Sequence, residues 1–395
     1  MYDFTTLRPR RDMGAEKWLG LERSGCADPN LAPLSVADME FRTAPEITAA
    51  LKEAADFGVY GYTIGDHRYR DAVCAWMDRR HGWLIEPTWI LQTFGVVHGI
   101  NLAVHALTSP GDGVIIQPPV YHPFQAVIEA TGRTVRPNPL VRLEGGRYEM
   151  DFDGLEALVK EPATKLMLLC SPHNPVGRVW TREELSRVAK LCRDNGVVVY
   201  ADEIHFDFIH APHVHTVFAS LDQDTARNCI VGTAASKSFN LAGLATANLI
   251  IPDPDLRERI RRQATGYTGE YNSYFGTAAT RAAYESGEGW LDELLGVIWG
   301  NYEYCKAFLA EKFPSVVVSP LEGTYLLWAD FRSLGLGAEE LERFMLEQGL
   351  FLSEGYHFGA EGAGFERINL ACPRACLENA MERLDRGAAK LGLPR

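Results

Sequence analysis

Between residues 90 and 252, short apolar runs alternate with stretches of helical periodicity, and this alternation constrains the chain more than any other feature. Strands alternating with helices form βαβ units, which place helices on both faces of a largely parallel sheet. The runs 113–117, 165–170, 197–201, 229–233 and 247–251 are the strand candidates, and they are apolar almost throughout, as strands buried on both faces are. One helix is well delimited: Thr181 and Glu184 have capping-box spacing, Leu185, Val188, Ala189 and Cys192 follow at helical spacing, and Asn195-Gly196 ends it.

Beyond about 286 the texture changes. An amphipathic helix is expected over 290–313, stopped by Pro314, then an alternating strand near 324–328 and helices around 338–348 and 375–391. The reading is an α/β fold: a mainly parallel central sheet flanked by helices, plus a smaller α+β C-terminal domain. The boundaries expected are 1–30 for an N-terminal segment on the small domain, 31–288 for the large domain and 289–395 for the small one. A chain of 395 residues suits this division, since domains run to roughly 100–200 residues each.

Charge and cysteines narrow the function. Thirty-nine Lys and Arg against 52 Asp and Glu give a net charge of −13, which repels nucleic acid and anionic lipid. Eight cysteines are scattered without Cys-x-x-Cys pairs and read as reduced thiols of a cytoplasmic protein. No apolar stretch approaches the roughly 20 residues of a membrane span. Neither G-x-x-x-x-G-K-[ST], nor G-x-G-x-x-G after a strand, nor G-x-S-x-G occurs, so P-loop, dinucleotide and serine-hydrolase readings lose their motifs. His205, His210, His213 and His215 crowd one stretch, yet Pro212 breaks any helix that would align them; they read as loop histidines, and no metal is expected.

Polar residues at the carboxyl ends of the expected strands remain, where open α/β sheets bind ligands. Asp202 follows 197–201, Asn174 follows 165–170 and Lys237 follows 229–233, delivering an acid, an amide and an amine to one rim. Lys237 lies among Phe239, Leu241 and Leu244, surroundings that lower an amine's pKa and suit it to Schiff-base chemistry.

Four motifs carry a family resemblance: Ser171-Pro-His-Asn-Pro-Val-Gly177, Ala201-Asp-Glu-Ile-His205, Ser236-Lys-Ser-Phe-Asn-Leu-Ala-Gly243 and Arg367-Ile-Asn-Leu-Ala-Cys-Pro-Arg374. They resemble fold type I pyridoxal-phosphate enzymes of the aminotransferase class I/II superfamily. Val36-Ala-Asp-Met-Glu-Phe41, Tyr60-Gly-Tyr-Thr63 and Pro118-Pro-Val-Tyr-His-Pro-Phe124 resemble its cystathionine β-lyase branch, the MalY/PatB-like C–S lyases. The likeness runs from about residue 30 to 376.

The resemblance implies pyridoxal 5'-phosphate as cofactor and assigns roles. Lys237 would hold the cofactor covalently and, once freed, act as general base. Asp202 would keep the ring nitrogen protonated, Asn174 would donate to the phenolic oxygen with His205 nearby, and Tyr121 would stack on the ring. The phosphate would rest on Gly95, Val96 and Val97 at a helix N-terminus, with Ser236 and a neighbouring subunit's Tyr62. Arg367 would grip the substrate carboxylate, with the Ala37 backbone closing over it. Arg374 is expected to shape the turn before the last helix.

Two positions depart from the transaminating relatives, which commonly place a hydroxyl and an arginine on the phosphate where this chain has Ala234 and Ala245. The expected function is therefore a cytoplasmic, homodimeric carbon–sulfur β-lyase that releases a thiol, pyruvate and ammonia from cystathionine or another S-substituted L-cysteine. The alternative is an aminotransferase on the same fold; a regulatory cofactor-binding module and a metal enzyme using the 210–215 loop are further rivals.

Overall fold

The computed structural model describes residues 2–23, 25, 32–267 and 271–394. Cys26 and part of the expected N-terminal segment lie outside them. Seven strands form the central sheet: β1 (Ile90–Thr93), β2 (Gly113–Ile116), β3 (Thr134–Pro137), β4 (Thr164–Cys170), β5 (Val198–Asp202), β6 (Cys229–Thr233) and β7 (Ala247–Ile250). Their order is β1–β7–β6–β5–β4–β2–β3. Strands β3, β2, β4, β5 and β6 are parallel neighbours.

Successive residues of each inner strand serve opposite faces. Met167, Leu169, Val199, Ala201 and Val231 belong to one apolar cluster, and Leu166, Leu168, Tyr200, Ile230 and Leu249 to the other. Burial on both faces explains the near-continuous apolar runs in the sequence. The helix Arg182–Asp194 that feeds β5 starts on the expected capping box: Thr181 Oγ1 accepts from Glu184 N at 3.2 Å, and Glu184 Oε2 accepts from Thr181 N at 2.8 Å.

Two results differ from the sequence reading. Strand β7 is antiparallel to both β6 and β1. A parallel return needs a crossover element, whereas residues 234–246 are spent on short helical turns around Lys237. Strands β1 and β3, four residues each, were not marked by the pattern. β3 sits at the sheet edge with both ends exposed, so it carries little apolar signal.

The C-terminal region holds a second sheet of β8 (Val317–Val318), β9 (Leu326–Asp330), β10 (Ser353–Glu354) and β11 (Phe365–Asn369), in the antiparallel order β8–β9–β11–β10. Helices Glu288–Lys312, Ala338–Glu347 and Arg374–Leu391 accompany it. β9 begins later than expected and does not alternate, for all five residues are buried. Trp328 stacks on Phe365 at 5.0 Å and donates from Nε1 to the Tyr148 hydroxyl at 3.1 Å, so the hairpin of 141–142 and 148–149 helps cover β9.

A buried tie joins the two regions. Arg178 and Glu322 are both almost wholly enclosed, and Arg178 Nε donates to Glu322 Oε2 at 2.8 Å. Arg178 Nη2 also reaches Glu184 at 2.9 Å, while the Gly177 carbonyl accepts from Glu322 N and Gly323 N. Among the described residues no helix is long and apolar enough to cross a membrane.

Candidate active site

The carboxyl ends of β4, β5 and β6 converge as the strand reading implied. Asp202 is the last residue of β5 and lies opposite Cys170 on β4 and Gly232 on β6. Burial pushes its carboxyl up to about 7, against a hydrogen bond from Ile204 N to Oδ1 at 3.1 Å. The Lys237 amine lowers it through space, and among the described residues no cationic side chain is hydrogen-bonded to it.

Lys237 occupies the short helix Ala235–Ser238 after β6. Burial lowers its amine to about 8; Arg367 and Lys17 act in the same direction, and Asp38 and Asp202 oppose them. Its Nζ donates to the Ala37 carbonyl at 2.6 Å, an oxygen that also accepts from the Tyr325 hydroxyl at 2.8 Å. On the far side Ser238 Oγ donates to Asp207, a buried carboxylate also held by Trp76 Nε1 at 3.2 Å and paired with His81 Nε2 at 2.9 Å. The lysine's turn is thereby pinned into the core.

Arg367, on β11, faces this rim across the junction. Its Nη1 donates to Asn174 Oδ1 at 2.9 Å, its Nη2 to Ser353 Oγ at 3.1 Å, and its guanidinium lies 4.7 Å over the Phe358 ring. Burial lowers its pKa to about 10, so it is still a cation at neutral pH. Tyr121 lies within electrostatic reach of both Asp202 and Arg367, and burial pushes its hydroxyl up to about 12. His205 is buried, 5.6 Å edge-on from Tyr325, and burial beside Lys237 and Arg367 keeps it neutral.

The structure thus brings together Lys237, Asp202, Asn174, His205, Tyr121, Arg367 and Ala37. Gly95, Val96 and Val97 sit at the start of helix Val96–Leu107, tied to the same sheet by Tyr200 Oη on β5, which donates to the Val96 carbonyl at 3.3 Å. Ser236 adjoins Lys237 on its turn. Tyr62 stands apart: it is 88 % exposed and stacks on Tyr271 at 4.5 Å. Arg374 holds the turn before the last helix, its Nε donating to Asn301 Oδ1 at 2.8 Å. In the histidine-rich stretch, His210 Nε2 lies 2.9 Å from the Thr324 carbonyl and His215 Nε2 lies 2.9 Å from Glu203 Oε2.

Sequence reasoning passed over how segment 36–41 is held. Asn240, three residues after Lys237, bonds the Met39 amide and the Met39 and Phe41 carbonyls. Asn369, two after Arg367, donates to the Val36 and Asp38 carbonyls at 2.8 and 2.6 Å. From the N-terminal side Arg10 and Lys17 both pair with Asp38 and Glu40. Both asparagines lie inside quoted motifs, and that was the available signal.

These residues fit pyridoxal phosphate on three observations. The Asp202 carboxyl is buried, and among the described residues no cation is hydrogen-bonded to it, Lys237 acting only through space, so a protonated ring nitrogen would suit it. His205 Nδ1 and Arg367 Nε are buried polar atoms without partners among the described residues. Gly95 has φ 120°, a Cβ there would meet nothing within 4 Å, and the helix behind it has neither a side-chain cap nor an acidic residue in its first turn. An uncapped N-terminus behind open space receives an anion.

The sequence pattern described as aminotransferase class I and II matches residues 29–384. Cystathionine beta-lyase PatB of Bacillus subtilis (strain 168) is 43 % identical over 355 residues, covering 89 % of this chain and 91 % of that protein. Protein MalY of Escherichia coli (strain K12) is 33 % identical over 388 residues, covering 97 % and 98 %. Among solved structures, that of cystalysin from Treponema denticola, which contains a pyridoxal 5'-phosphate cofactor, matches with a TM-score of 0.97 at 41 % identity, covering 99 % of this chain and 100 % of that one.

Proposed function

We propose, for a chain that belongs to the aminotransferase class I and II family, a pyridoxal-phosphate-dependent carbon–sulfur β-lyase acting on cystathionine or another S-substituted L-cysteine. The observation that carries this reading is the meeting, on one rim, of an amine lowered to about 8, a buried carboxyl to which no cation is hydrogen-bonded among the described residues and a buried guanidinium with an unused N–H. When bound, the cofactor supplies an electron sink for the pair released at the substrate Cα.

The chain's own residues do the rest. Arg367 receives the α-carboxylate, and its planar fork fixes the Cα–H direction while Asn174 holds the guanidinium in place. Lys237, neutral in useful proportion near pH 8, takes the Cα proton at Nζ. The released pair expels the β-sulfur as a thiolate, and hydrolysis of the remaining three-carbon fragment gives pyruvate and ammonia. Asp202 would hold the ring nitrogen's proton, His205 and Asn174 would serve the phenolic oxygen, Tyr121 would stack on the ring, and the amides from Gly95 to Val97 with Ser236 would take the phosphate. Alanines at 234 and 245 leave that cradle without the hydroxyl and arginine of transaminating relatives, which favours the lyase over the aminotransferase.

The reading includes a homodimer in the cytoplasm. Phe57, Val59, Tyr60, Tyr62 and Ile64 form an exposed apolar run that a second copy would cover, carrying Tyr62 to the neighbouring phosphate. The test is a purified preparation given cystathionine: pyruvate and ammonia in equal amounts are expected. Transfer of the amino group to a 2-oxo acid without pyruvate release would replace the lyase by the aminotransferase.

A further inference from the structure

The Lys237 amine and Tyr325 hydroxyl meet on one backbone oxygen, that of Ala37, and the next residues carry Asp38 and Glu40. These two carboxylates are enclosed with two cations. Lys17 is 1 % exposed, and its Nζ reaches Asp38 Oδ1 at 2.9 Å, Glu40 Oε1 at 2.8 Å and the Asp38 carbonyl at 3.0 Å, which uses all three ammonium hydrogens. Arg10 grips Asp38 with Nη1 at 2.8 Å and Nη2 at 3.0 Å, and reaches Glu40 Oε1 at 2.9 Å. Trp18 Nε1 donates to the remaining Glu40 oxygen at 3.2 Å.

We propose that this Arg10–Lys17–Asp38–Glu40 quartet is a positioning device for the base of the reaction, fixing the Ala37 carbonyl that receives the Lys237 amine whenever that amine is free. The proposal rests on the lyase reading above. An ion quartet with Lys17 and Glu40 buried and Arg10 and Asp38 partly exposed contributes little stability over apolar packing, because desolvation offsets the attraction; what it provides is one arrangement of the backbone that carries it. Here that backbone is gripped from three sides, by the quartet, by Asn240 beside the base and by Asn369 beside the carboxylate-binding arginine. The Ala37 oxygen is therefore a fixed resting point for Nζ.

The quartet also sets the charge seen by the amine. Facing Lys237 are Asp38 and Lys17 from the N-terminal side, Asp202 and His205 from the strand end, and Tyr325 and Arg367 from the small sheet. Two cations balance two carboxylates, so loss of either cation leaves a net negative charge beside the amine, and this favours its protonated form.

The test uses the holoenzyme of Lys17→Met, with Arg10→Gln as a second variant at a less enclosed site. Measured are kcat for pyruvate release, melting temperature, and the pH midpoint of the bound cofactor's near-visible absorbance. For Lys17→Met a midpoint raised by roughly 0.5 pH unit and a kcat lowered about tenfold are expected, with smaller changes of the same sign for Arg10→Gln. A folded variant whose midpoint stays at the wild-type value overturns the proposal, whatever its kcat, because a merely structural role does not move the titration. If Lys17→Met does not fold, Arg10→Gln decides alone. A wild-type protein that takes up no cofactor overturns the functional reading and the proposal together, and is told apart by being seen before any substitution.

Discussion

Substituting Asp202 by Asn should have opposite effects on the cofactor-stripped and the loaded enzyme. In the stripped protein burial raises the carboxyl from 3.8 to about 7. A group whose folded pKa is raised favours folding below its unfolded value, and that contribution is lost as pH climbs through the folded value. Wild type therefore loses stability between pH 4 and 7, by about 4 kcal/mol at roughly 1.4 kcal/mol per pKa unit. Asn preserves Oδ1 for the Ile204 amide and does not titrate. At pH 8 the stripped Asp202→Asn protein should melt higher than stripped wild type by roughly 3–5 °C, given the unfolding entropy of a chain this long, and the gap should close towards pH 4. In the loaded enzyme the same change would, on the proposed role of Asp202, remove the ring nitrogen's counter-charge, so pyruvate release should fall about a hundredfold or more. Scanning calorimetry of both forms across pH reads both effects. If the variant melts lower than wild type in stripped protein at pH 8, the ionised carboxyl has a partner that the geometry does not provide, and the reasoning fails.

Arg367→Lys keeps the charge but loses the fork towards Asn174 and Ser353, so KM for cystathionine should rise about tenfold or more while kcat changes less, as steady-state kinetics will register. Mixing inactive Tyr62→Ala and Lys237→Ala proteins under subunit exchange should restore about one quarter of wild-type activity, since half the dimers are hybrids with one intact site; no recovery would mean that the sites are not shared. Gly95→Ala forces a side chain onto φ 120° and should weaken cofactor binding severalfold in a titration of stripped enzyme, with little change in fold. Thr181→Ala removes the cap of helix Arg182–Asp194 and should cost about 1 kcal/mol in urea unfolding without changing KM.

The strand ends were readable because Asp202, Asn174 and Lys237 each lie within four residues of the end of an apolar run, and position after a strand is a local property. Asp202, Asn174 and Lys237 needed no knowledge of distant residues to be placed on one rim. What holds them was not readable in the same way. Lys17 and Arg10 meet Asp38 and Glu40 across more than twenty positions, and Asp207 takes Ser238 on one side and His81 on the other across still longer separations. Any of these reads in the sequence as an ordinary surface charge. Direction was equally hidden: the run 247–251 announces a strand, but the reversal of β7 follows from how its connection is spent on the lysine's turn. Burial on both faces erased the alternation expected of β9.

The buried Arg178–Glu322 tie has a mechanical consequence. It joins the turn that carries Asn174 to the hairpin leading into β9, and separating the pair would strand two charges away from water, so the regions cannot slide past each other there. Arg367 is bonded through Nη1 to Asn174 on that same turn, so the guanidinium on β11 is held to the pinned side of the junction.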